Sequence, residues 1–252
     1  MLLAAVLFVT GAAIKPSGPK PLPPAESVKQ GRELVAQLLS EKPAQDTTNT
    51  GVLNIRPARG TATNIFIRFE ARTGENQWET IYTASRAPGA TPFIRLRVVH
   101  KTGAPNEYFL SENKSGSMKN GNSAEKKLTG NEAQLSFAGS DFAISDLGLE
   151  FLHWPDQRVL RKEIRRGQSC DVLQSINPNP ASGAYSRVVS WIDIDSGGIM
   201  NAEAYDSKDK LWKEFIAKSV KKIRGQWELE EIEMDNHRTD SRTTIKFDLG
   251  SK

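Results

Sequence analysis

Over much of the chain, apolar and polar side chains alternate with a period of two. Between residues 64 and 72, Ile65, Ile67, Phe69 and Ala71 alternate with Phe66, Arg68, Glu70 and Arg72, which in β geometry sends one set to each face of a sheet. Ile94, Leu96 and Val98 alternate with Arg95 and Arg97 in the same way. The pattern predicts strands over residues 51–57, 64–72, 77–85, 92–100, 107–111 and 133–137. Longer ones follow over 158–166, 169–176, 185–195, 199–206, 211–223, 226–236 and 242–249. Turn-forming residues separate the later strands: Arg166-Gly167, Ser196-Gly197-Gly198, Lys208-Asp209-Lys210, Arg224-Gly225 and Thr239-Asp240. Strands joined by such short links form an antiparallel meander, and one this long must curl or close to limit its exposed edges.

Three stretches break the pattern. Over residues 25–41, Val28, Val35, Leu38 and Leu39, with Leu34 beside them, share one face at helical spacing, while Lys29, Arg32, Glu33 and Gln37 face away. This is an amphipathic helix that needs an apolar partner, and Pro43 ends it. Residues 113–131 are polar, carry glycines and show no period, so they read as a mobile surface loop or the margin of a lid. Residues 140–154 (SDFAISDLGLEFLHW) are apolar instead. Ser145 suits the cap of a short helix whose Leu147, Leu149, Phe151 and Leu152 must cover something, either a plain core or a cavity mouth.

Composition narrows the class without naming it. Of 252 residues, 38% are hydrophobic and 25% charged, which supports a packed core and excludes collagen, coiled coil and polytopic membrane protein. Thirty-four Lys and Arg against 30 Asp and Glu give a net charge of +4, spread along the chain. A nucleic-acid footprint needs clustered cations, so none is expected. Cys170 is the single cysteine; it excludes an internal disulfide or a multi-cysteine zinc site and reads as a small buried residue.

Residues 2–14 (LLAAVLFVTGAAI) are uncharged and about as long as a signal-peptide core, shorter than the ~20 residues of a spanning helix. Gly11 and Ala13 place small residues before a cleavage after Ala13, although no cation precedes the apolar run. The expectation is a leader over 1–13, a proline-rich linker over 14–24 and one domain over 25–252, exported as a soluble chain.

Catalysis finds little support. The histidines are His100, His153 and His237, and no HExxH, GxSxG or P-loop motif occurs. Ser140 and Asp141 with His153 assemble a hydrolytic set only on paper, because no strained nucleophile turn is spelled there. Glu228, Glu230, Glu231 and Glu233 read as a solvated strand face. No metal-ligand cluster and no cofactor motif stands out.

Five strings occur in order: GSDFAISDL (139–147), CDVLQSINP (170–178), YSRVVSWID (185–193), AEAYD (202–206) and KIRGQW (222–227). Together they resemble the bacterial outer-membrane lipoprotein-sorting family, the periplasmic LolA-like carriers and their relatives, over roughly residues 27–249. The resemblance implies a mainly β fold, an incomplete antiparallel barrel of about eleven strands with short helices as a lid. It also implies a periplasmic, non-catalytic and monomeric carrier whose apolar cavity takes lipoprotein or lipid acyl chains. Inner- or outer-membrane sorting proteins would be its partners. In such a carrier the inward stripe of Ile65, Ile67, Phe69, Ile94, Leu96, Val98, Ile192, Ile194, Ile216, Val220, Ile245 and Phe247 would line the cavity. Each buried methylene is worth about 0.8 kcal/mol. A packed core is the competing reading of that stripe. Leu147, Leu149, Phe151 and Leu152 would form the lid, and one of Arg68, Arg95 and Arg97 would tie it shut, unless all three simply lie on a solvated strand face. The resemblance points toward relatives with a loosely defined role, so the alternative is a periplasmic sensor or scaffold that uses the same half-barrel to bind a protein.

Overall fold

The computed structural model describes residues 21–113, 124–223 and 226–249. The expected leader over 1–13, the linker up to residue 20, residues 114–123 of the polar loop and the Arg224-Gly225 turn lie outside them. Helix α1 (Pro24–Ser40) comes first. Strands β1 (Thr47–Arg56), β2 (Thr63–Arg72), β3 (Gln77–Ser85), β4 (Ile94–Lys101), β5 (Glu107–Glu112) and β6 (Lys126–Lys127) follow. After a long crossover come β7 (Asp156–Arg165), β8 (Gln168–Ile176), β9 (Arg187–Asp193), β10 (Ile199–Tyr205), β11 (Leu211–Ile223), β12 (Gln226–Asn236) and β13 (Ser241–Asp248).

All thirteen belong to one antiparallel sheet with the order β6-β5-β4-β3-β2-β1-β13-β12-β11-β10-β9-β8-β7. Two meanders are thus joined by their first and last strands, with Leu53 of β1 opposite Ile245 of β13. This order has a consequence for the crossover. Strands β6 and β7 are consecutive in the chain yet sit at opposite edges of the sheet. The connection over 128–155 therefore has to travel across the sheet, and it does so along the inner face.

The fold class is the expected mainly β half-barrel with short helices over it, drawn with thirteen strands in place of about eleven. In place of the strand expected over 133–137, residues Gly130–Gln134 form a 3-10 turn and Ser136 makes a single bridge to Ala143. Glu132 reaches back to accept the Thr129 N–H at 2.9 Å, and this local capping box outcompetes pairing. The edge of β5 that such a strand would need is already occupied by Lys126 and Lys127. Two adjacent lysines carry no alternation, which is why β6 was invisible in the polar stretch.

The crossover fills one part of the half-barrel. Its Leu128, Phe137, Phe142 and Ile144 are buried in one core with Ile65 and Ile67 of β2, Ile94, Leu96 and Val98 of β4, and Ile245 of β13. A buried carboxylate pins it. Asp141 accepts from Thr243 Oγ1 at 2.8 Å, Ser241 Oγ at 2.6 Å and Asn236 Nδ2 at 3.1 Å, and its own N–H donates to Thr243 Oγ1 at 2.9 Å. Such a group is tolerated in a core because its acceptors are satisfied.

Helix α1 covers the far edge. Val35 packs with Leu152, Val159, Leu173 and Ile192, and the half-buried Leu34 and Leu38 join them. Gly31 lets the helix touch β7: a Cβ there would lie 2.5 Å from both Arg158 N and Gln157 O. Ser27 Oγ donates to Val159 O at 2.8 Å in the same buried contact.

Candidate functional site

Beyond the filled part, the half-barrel leaves a cavity of about 760 Å³. Its floor is Ala202 and Ala204 of β10, Lys213 and Phe215 of β11, and Leu229, Ile232 and Met234 of β12. Trp78, Thr80 and Tyr82 of β3 and His100 of β4 form the opposite wall, and exposed turns around Glu75–Gln77, residues 102–105 and Gly197-Gly198 form the rim with the end of α1. The space exists because β10 turns alanines inward. Ala202 stands opposite Phe215 and Ala204 opposite Lys213, so no branched side chain closes the gap that a packed interior would fill.

The roof is the last part of the crossover, α2 (Ile144–Leu147) followed by the 3-10 turn Glu150–His153. All four expected lid residues, Leu147, Leu149, Phe151 and Leu152, border the cavity. The expected cap does not form at Ser145, which is buried inside the turn. Asp146 takes that role by accepting the Ala143 N–H at 2.7 Å. Leu149 has φ 50° and remains 40% exposed, an apolar side chain at the mouth. Left-handed backbone at a leucine is unfavourable and is sustained here by hydrogen bonds on both sides.

Those bonds come from the sheet. Tyr82 OH donates to Leu147 O at 3.2 Å, Asn106 Nδ2 to Gly148 O at 2.7 Å and Tyr108 OH to Glu150 Oε2 at 2.7 Å. Gln157 Nε2 donates at 2.9 Å to Phe151 O and at 2.9 Å to Trp154 O. Gly148 has no room for a side chain, since a Cβ would meet Tyr108 Cε1 at 2.8 Å. Burial raises the Glu150 carboxyl above its ordinary range, against the lowering effect of Tyr108.

Two polar groups face the interior. On the floor, Lys213 Nζ lies 3.5 Å from Asp146 Oδ2, and Tyr185 OH donates to the same oxygen at 3.2 Å. At the mouth, His100 stacks on Trp78 with ring centroids 3.8 Å apart and 13° between planes, and shares a hydrogen bond with Thr80 Oγ1 at 3.1 Å. Burial, with His153 adding to it, pushes the His100 pKa down to about 4. Burial lowers His153 as well, so both rings are neutral at ordinary pH.

The expected cavity stripe is placed elsewhere. None of its twelve residues borders the cavity. Ile65, Ile67, Ile94, Leu96, Val98 and Ile245 are core beneath the crossover, with Phe247 half-buried against them. Ile192 is core under α1, and Phe69 packs on Tyr82 with ring centroids 5.1 Å apart. Ile194 and Val220 are each 45% exposed. Along β11 the register shifts between Ala217 and Val220, so one alternation cannot be carried through the strand, and Ile216 falls on the face opposite Phe215. Large apolar residues fill space; the opening lies where the inward residues are small.

The three candidate arginines bind other partners. Arg68 pairs with Glu70 at 3.0 Å, Arg95 with Glu125, and Arg97 with Glu79 at 2.9 Å and Glu125 at 2.6 Å. All three alternate with inward residues and face away from the roof. The hydrolytic set does not assemble either: Ser140 Oγ donates to Phe137 O at 2.7 Å, and the side-chain partners of Asp141 are Asn236, Ser241 and Thr243. Glu233, expected on a solvated face, is buried and pairs with Lys218 at 3.2 Å. Lys213, Asp146, Tyr185 and Trp78 were missed, because no spacing marks them, and His100 was weighed only as a catalytic histidine.

An open antiparallel half-barrel whose crossover roofs an apolar cavity is the LolA-like fold. A LolA superfamily protein from Nitrosomonas europaea has a TM-score of 0.58 at 14% identity, covering 88% of this chain and 91% of its own. A domain from Vibrio parahaemolyticus described as outer membrane lipoprotein-sorting reaches 0.71 at 20% identity, over 89% of this chain and 95% of its own. A DUF1329 family protein from Desulfovibrio piger reaches 0.69 at 20% identity, over 90% and 95%. No curated protein matches the sequence. A family model described as "-like: Uncharacterized protein" matches residues 123–249, half of the chain, and the protein belongs to that family.

Proposed function

We propose that this chain is a non-catalytic carrier or chaperone of the bacterial periplasm that holds lipidated or other hydrophobic cargo by its acyl chains. One observation carries the reading: a cavity of about 760 Å³ with an apolar floor under a roof hung on side-chain hydrogen bonds. That volume falls within the ~300–1,000 Å³ typical of ligand sites. Its floor offers Phe215, Leu229, Ile232 and Met234 to a chain that gains about 0.8 kcal/mol per methylene on leaving water. No covalent step is needed for such a grip. The same reading has a leader over 1–13, a linker over 14–24 and the carrier domain beyond, acting as a monomer between membrane sorting partners.

Protein purified without detergent should carry lipid into an organic extract detectable by mass spectrometry. The emptied protein should bind one neutral apolar dye, N-phenyl-1-naphthylamine. Ala202→Phe, which fills the floor, should weaken the dye about tenfold or more while the fold persists. Equal dye binding by a folded Ala202→Phe protein would place the apolar site elsewhere.

A further inference from the structure

The floor holds a cation in an apolar setting. Lys213 is 8% exposed, and its ammonium has one carboxylate, Asp146 Oδ2, at 3.5 Å. The rings of Tyr185 and Trp212 lie 5.6 Å from it. Among the described residues no hydrogen bond from this nitrogen is formed, although an ammonium has three N–H groups to place. Asp146 is differently served. The same oxygen already receives the Ala143 N–H at 2.7 Å and the Tyr185 O–H at 3.2 Å. The carboxylate is therefore stabilised without Lys213, while the ammonium is short of acceptors.

Strand register sets the direction of the space in front of it. Lys213 stands opposite Ala204 and Asn236, Phe215 opposite Ala202 and Met234, and Ala217 opposite Ile232. Along β10 the next residues out are Ile199 and the exposed rim turn at Gly198. An apolar strip thus runs from the ammonium to the mouth, one residue pair after another.

We propose that the cavity selects a long single-chain carboxylate, a fatty acid that enters head first, with its carboxylate on the Lys213 ammonium and its chain along Phe215, Met234 and Ile232 toward the rim. The inference rests on the cavity being a binding site and adds the chemistry of its ligand. A charge-assisted hydrogen bond in an apolar surrounding favours the acid over an equal chain with an uncharged head. Cargo whose head is joined to a larger molecule would not reach Lys213 head first.

Displacement of the neutral dye by dodecanoic acid, methyl dodecanoate and dodecanol tests this. On the native protein the acid should compete about tenfold better than the ester or the alcohol. Lys213→Met should bring the acid down to the level of the ester, while the ester still displaces the dye and so reports an intact cavity. Lys213→Arg should restore the preference. Asp146→Asn, which leaves the ammonium unshared, should tighten the acid and not the ester. Equal binding of acid and ester by the native protein, or a preference that survives Lys213→Met, overturns the proposal and leaves the apolar carrier standing. If neither the dye nor any of the three chains binds, the carrier reading itself falls with it.

Discussion

His100 shows how a residue's role depends on what surrounds it. From the sequence it was a strand-end histidine; in the structure it is pressed flat against Trp78 at the cavity mouth and bonded to Thr80. Its folded pKa of about 4 lies below the ordinary 6.5. The folded state therefore binds fewer protons than the unfolded chain between these values. The stability that His100 contributes is present above about pH 6.5 and is lost as pH falls toward 4. The loss amounts to up to about 3 kcal/mol. His100→Phe keeps a ring on Trp78 and should reduce the pH dependence of the melting temperature over that window, leaving the part that His153, Glu150 and the paired surface carboxylates supply. A melting curve whose pH dependence is the same in both proteins would mean that the ring is already solvated. The same scale explains what the sequence withheld. Ala202 and Ala204 read as weak members of an alternating strand, yet they create the cavity. The strong members, Leu96 and Ile245, only fill core. A search for the largest apolar stripe finds packing; small inward residues between large ones were the better signal.

Among elements, α1 and the long strands were legible because their periodicity comes from one-sided burial, which is local in sequence. The role of the crossover was legible only as an apolar segment in need of a partner. Its path follows from the pairing of β1 with β13, which throws β6 and β7 to opposite edges, and no local pattern encodes that pairing. Its hold on the sheet rests on a few side-chain hydrogen bonds. Tyr108→Phe removes the donor to Glu150, a bond worth about 1 kcal/mol, so amide exchange over residues 149–154 should quicken about fivefold in the free protein. Lipid that displaces Leu149 and Phe151 should quicken it as well. Protection in this stretch that is indifferent to both would make the segment ordinary core. The contact of α1 with the sheet is of another kind, backbone against backbone at Gly31. Gly31→Ala should lower stability by about 1–3 kcal/mol through overpacking, as read by urea denaturation, and a neutral outcome would show that the helix can lift away.

At the scale of the whole molecule, the sheet is longer than its interior can fill. The crossover occupies one part with Phe137, Phe142 and Ile144, α1 covers the β7–β9 edge, and what remains is the roofed cavity. Three of the strings that carried the resemblance meet there: Phe142, Asp146 and Leu147 from the first, Tyr185 and Val188 from the third, Ala202 and Ala204 from the fourth. The family likeness and the cavity therefore rest on the same residues, although the sequence alone could not show that they converge. A carrier built this way would hold its chain inside the half-barrel and not on an outer face. A crystal structure of the protein with a fatty acid brominated near its methyl end tests that directly. The account predicts a single anomalous bromine peak inside the cavity or at its rim, along the strip of Phe215, Met234 and Ile232. An empty cavity at saturating ligand, or a peak on the outer face of the sheet, would contradict it.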